Sequence, residues 1–64
     1  MTNPFAAQQA RIISKAEKLG IDPSQDQAIQ TMLTLTLLNM IDQNYLNNLE
    51  QFIEERGKEG KDVG

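Results

Sequence analysis

The 64-residue chain contains neither cysteine nor histidine. Without cysteine there can be no disulfide staple and no thiolate nucleophile. Without histidine the usual proton-transfer group near neutral pH is missing, as is the ordinary zinc site of thiolates and imidazoles. A long hydrophobic run is lacking too. The most apolar stretch, Met32 to Ile41, is interrupted by Thr34, Thr36 and Asn39 and is too short to cross a bilayer. The opening MTNPFAAQQARII has no basic segment followed by a continuous apolar one, so a secretory signal is not expected. Together these absences lead to the expectation of a soluble, cytoplasmic protein that is not an enzyme and holds no metal or cofactor.

A chain this short forms one domain at most and buries only about 60% of the surface its unfolded form exposes. Domains of this size commonly gain stability from disulfides, metals or association. With the first two set aside, efficient helix packing or other chains remain. The net charge of −3 is unevenly spread. Residues 1–21 carry three basic and one acidic side chain, and residues 22–64 carry three basic and eight acidic ones. The chain as a whole should repel nucleic acid, while its first helix need not.

What is present reads as helix. Asn3 and Pro4 suit an N-cap and the first helical position. Phe5, Ile12, Ala16 and Leu19 then gather on one face at 100° per residue, with Ile13 beside them. Gly20 stands where a left-handed residue ends a helix, and Ile21 where an apolar contact reaches back. The first helix is therefore expected over residues 4–19. Asp22, Pro23 and Gln25 suggest the start of a second, with Asp22 as N-cap and Gln25 closing a capping box.

That second helix carries too much apolar surface for one short partner. Ile29, Leu33, Leu37 and Met40 share a face, while Leu38, Ile41, Tyr45, Leu49 and Phe52 share another, roughly 120° away. Two architectures follow. A single helix over 23–56 would bury its second face against another subunit, giving a helical hairpin that dimerises into a small bundle. Alternatively the chain breaks near Asp42-Gln43-Asn44, with Asp42 or Asn44 capping a third helix, and forms a three-helix monomer. The long helix is preferred, because no Gly or Pro lies between Pro23 and Gly57. Leu33 to Leu37 alternates like a strand but has no partner strand, so it is read as helix with Thr34 and Thr36 donating to carbonyls one turn back. One domain is expected over residues 1–56, followed by a mobile polar tail, 57–64.

Functional chemistry is sparse. Glu50 and Glu54 form an i,i+4 carboxylate pair that could join a metal site or simply face water. Arg11, Lys15 and Lys18 form a stripe expected opposite the apolar face of the first helix. It could contact phosphate or an acidic partner, or be an ordinary solvated face. The stripe Leu38, Ile41, Tyr45, Leu49 and Phe52 has the spacing of a helix–helix interface, with Tyr45 and Phe52 as aromatic anchors or as core. The expected function is thus protein–protein association, as an adaptor, regulator or assembly factor, with self-association as a homodimer and a further protein partner. The alternative is a small dimeric nucleic-acid-binding protein using the basic stripe. In length and hairpin plan the chain resembles small plasmid-encoded RNA-modulating proteins, a likeness of architecture that implies no residue roles.

Overall fold

The computed structural model describes residues 3–62, with side chains for residues 3–58. The fold is all-α. Three helices follow one another: α1 Ala6–Lys18, α2 Gln27–Leu37 and α3 Gln43–Asp62. The three-helix bundle is therefore the architecture adopted, and the hairpin with one helix over 23–56, together with the likeness built on it, is corrected. The break lies at Leu38–Asp42, slightly earlier than the 42–44 position suggested by the amide-rich sequence.

Two helix ends share one mechanism. At the end of α1, Ile21 N–H donates to the Ala16 carbonyl at 2.9 Å and Gly20 N–H to Glu17 at 3.0 Å. Gly20 has φ 81°, which a residue without Cβ adopts freely. At the end of α2, Met40 N–H donates to the Leu35 carbonyl at 2.8 Å and Asn39 N–H to Thr36 at 3.0 Å. Asn39 takes the glycine's place there, with φ 58°. Both are Schellman ends, and Asn is the side-chain-bearing residue that tolerates this conformation best.

Helix starts depart from the simplest reading. Asn3 Oδ1 accepts the Phe5 N–H at 2.9 Å, so Asn3-Pro4-Phe5 is a turn and the helix begins at Ala6. Asp22 does not cap α2. Its carboxylate holds a local turn by accepting from Ser24 N–H and hydroxyl at 3.0 and 2.8 Å. The cap is Asp26, extended at φ −85° and ψ 121°, whose side chain accepts the Ile29 N–H at 3.1 Å. Asp42 performs the same task for α3, accepting the Tyr45 N–H at 2.7 Å. The residues expected in a mobile tail continue α3 through Asp62, and the last two lie outside the described residues.

Ile12, Ala16, Ile29, Met32, Leu46, Leu49 and Ile53 form the core, contributed by all three helices. The second apolar face is absorbed in part within one chain: Leu38 and Phe52 stay exposed, while Leu49 joins Leu46 and Ile53 in the core and Ile41 and Tyr45 pack against it. One polar side chain is buried among them, Gln9, and both ends of its amide are satisfied. It accepts from Asn3 Nδ2 at 2.9 Å and donates to Thr36 Oγ1 at 2.6 Å. Thr36 in turn donates to the Met32 carbonyl at 2.9 Å and Thr34 to Gln30 at 2.9 Å, the back-bonding expected of these residues.

Candidate functional site

Two members of the basic stripe of α1, Arg11 and Lys15, are engaged within the chain. Pairs Gln8–Asn47, Arg11–Glu50 and Lys15–Glu54 all keep a sequence separation of 39, so α1 and α3 run parallel and in step. Lys15 Nζ donates to Glu50 and Glu54 at 2.6 Å each, and Arg11 Nε to Glu50 at 2.8 Å. Gln8 adds a bond to Glu50 at 3.1 Å, and Gln43 joins Gln8 and Asn47. These groups flank the apolar face of α1 instead of lying opposite it. Lys15 is three residues from Ile12, about 60° away at 100° per residue. That offset lets its stem cover the core edge while its ammonium reaches α3.

The pairing shifts the ionisations together. Hydrogen bonds from Arg11 and then Lys15 hold the Glu50 carboxyl down to about 2, against a smaller upward push from burial. Those same bonds raise the Arg11 guanidinium and the Lys15 ammonium. Glu50 and Glu54 are therefore salt-bridge partners. Among the described residues no group of three acidic, His or Cys side chains is placed to hold a metal ion. Lys18 is exposed and lines, with Leu19 and Gly57, a shallow cleft of about 240 Å³ between the end of α1 and α3. Gly57 matters to that contact, since a Cβ there would stand 2.7 Å from Leu19 Cδ2.

The apolar stripe is divided by the bend. Leu49 is core, and Ile41 and Tyr45 pack half-buried against it. Phe52 is 50% exposed, with the Arg56 guanidinium 5.6 Å from its ring centre. Leu38 is 61% exposed in the α2 cap and takes no part in the core.

A different apolar surface is left open, which the helical periodicity pointed to only in part. Leu37 is 87% exposed and Met40 65%, beside Leu38, and Leu33 lies one turn earlier at 38%. The segment that carries them has no ionisable residue between Asp26 and Asp42, and the Asp42 carboxylate that caps α3 closes it. The signals available beforehand were that uncharged segment and the shared face of Leu33, Leu37 and Met40. No helix among the described residues is long and apolar enough to cross a membrane. Set against protein-family models, curated proteins and solved structures, the chain matches none of them.

Proposed function

We propose that the chain is a small, non-catalytic protein–protein interaction module, an adaptor, regulator or assembly factor, that presents the corner after α2 to another protein chain. The observation carrying this reading is the cluster Leu37, Leu38 and Met40, exposed within a segment free of charge. Burying such side chains gains about 25 cal/mol per Å² without the cost of desolvating an ion. The basic stripe offers less to a nucleic acid, because Arg11 and Lys15 are already paired with Glu50 and Glu54, whose carboxylates would also face the phosphates. Association through the corner adds to a fold that is complete in one chain, which suits a reversible partner.

The variant Leu37→Gln with Met40→Gln tests this. Both side chains are exposed, so urea unfolding should stay close to wild type. Size-exclusion of the tagged chain in cell extract should place the wild type above monomer size and the double variant at monomer size. Identical elution of the two would remove the reading.

A further inference from the structure

The segment between Pro23 and Gly57 contains no Gly and no Pro, yet the chain reverses within it. The reversal turns on one side-chain-bearing residue in the left-handed region, Asn39 at φ 58°. Leu37, Leu38 and Met40, which flank that residue, are the three most exposed large apolar side chains among the described residues. If the five non-helical residues 38–42 become helical together, with Asn39 leaving the left-handed region, α2 and α3 become one helix over residues 27–62, about 54 Å long at 1.5 Å per residue. On that helix the bend no longer interrupts Leu38, Ile41, Tyr45, Leu49 and Phe52, whose three-and-four spacing becomes a continuous stripe. The α3 segment then cannot reach its own α1, and the surface it packs on is available only from another copy.

We propose that two copies of this chain exchange α3 by straightening at Asn39, forming a domain-swapped homodimer. The proposal rests on the reading of the corner as an association surface and names its partner as a second copy. Swapping keeps the packing of α3 on α1 and moves it between chains, while the hinge bonds of residues 38–42 give way to helical ones. The α1 side brings Arg11 and Lys15, and the incoming α3 brings Glu50 and Glu54, so the exchanged interface is complementary in charge. The two straightened segments meet where the sequence from Gln27 to Ile41 has no ionisable group. The contact over Gln27–Ile41 thus buries no charge, and the Asp42 carboxylate of each copy stands just beyond it. The leucines and Met40 that face water at the bend gain cover in the dimer, which the monomer does not provide.

Two experiments on the full chain test the exchange. The first compares Asn39→Ala with Asn39→Gly by sedimentation equilibrium from micromolar to millimolar concentration. Alanine favours the straight helix, and glycine favours the left-handed bend. With two hinges per dimer, Asn39→Ala should tighten association by roughly 10- to 100-fold relative to wild type, and Asn39→Gly should weaken it. Equal association of the two variants would overturn the exchange. The second mixes Arg11→Glu/Lys15→Glu chains with Glu50→Lys/Glu54→Lys chains. Each alone sets like charges together, whereas exchange between them restores both pairings. A one-to-one heterodimer with recovered helicity is expected, and the absence of any mixed species would overturn the exchange. If the hinge variants associate equally while Leu37→Gln with Met40→Gln still reduces the size in extract, the surface docks without exchange: this inference fails and the proposed function stands. If neither set responds, both fail.

Discussion

Arg11 and Glu50 meet through two hydrogen bonds, Nε to Oε2 at 2.8 Å and Nη2 to Oε1 at 3.0 Å. This forked pairing fixes both the distance and the register of α1 against α3. The Glu50 side chain is 16% exposed and Arg11 55%, so the carboxylate is the sheltered partner.

The pairing makes stability depend on acid pH. The Glu50 carboxyl is held down to about 2 in the folded chain, from an ordinary value of 4.5. Its contribution is complete above about 4.5, where the unfolded chain is also ionised, and is lost as pH falls toward 2. Asp26 is lowered by its Arg56 hydrogen bond and acts in the same direction. Glu50→Gln should be less stable than wild type at neutral pH, with the difference shrinking through that window. Thermal unfolding followed by circular dichroism between pH 7 and 2 checks this. A constant difference across the range would contradict it.

Asp26 has two tasks, capping α2 at the Ile29 N–H and receiving Arg56 Nη1 at 2.6 Å. Removal of the cap costs about 1 kcal/mol, and loss of a charge-assisted hydrogen bond about 1.5–3 kcal/mol. Arg56 is 37% exposed, which holds the pair to the lower end of that range, so Asp26→Ala is expected to lower the unfolding free energy by about 2–3 kcal/mol in urea titrations. Arg56→Met leaves the cap in place and should cost less. Equal losses would show that the cap contributes nothing.

Leu46 and Leu38 separate core from surface on the same stretch of chain. Leu46 is fully buried, and Leu46→Ala should cost about 2–5 kcal/mol, against a total of about 3–10 kcal/mol for a domain of this length. Leu38→Ala should change stability by less than about 0.5 kcal/mol. Denaturant midpoints of the two variants decide the matter. A large loss at Leu38 with none at Leu46 would place the bend elsewhere.

Local chemistry was legible where one residue suffices. Gly20 could be read as the end of α1, and Thr34 and Thr36 as back-bonded helix residues. Asp42 was visible as a possible cap for a third helix. The bend itself was harder to see, because Asn39 is one of several asparagines, with Asn44, Asn47 and Asn48 following closely. Only tertiary packing chooses among them: a reversal at Asn39 turns Leu46, Leu49 and Ile53 onto Ile12 and Ala16. The choice of Asp26 over Asp22 is similar, since Arg56 reaches Asp26 from 30 residues away. The candidate site was read less well. Its best clue, an uncharged segment from Gln27 to Ile41, is a statement about missing residues, while the apolar spacing grouped Leu33, Leu37 and Met40 without showing that their face stays open.

Whether the corner after α2 is an association surface is measured most directly by photo-cross-linking in living cells. A photoreactive amino acid is placed at Leu37 and, as a control, at the exposed Ser14 on α1. A discrete adduct from position 37, of a second copy or one partner chain, is expected, weakened by Met40→Gln and absent from position 14. No adduct from position 37, or the same adduct from both positions, would contradict it.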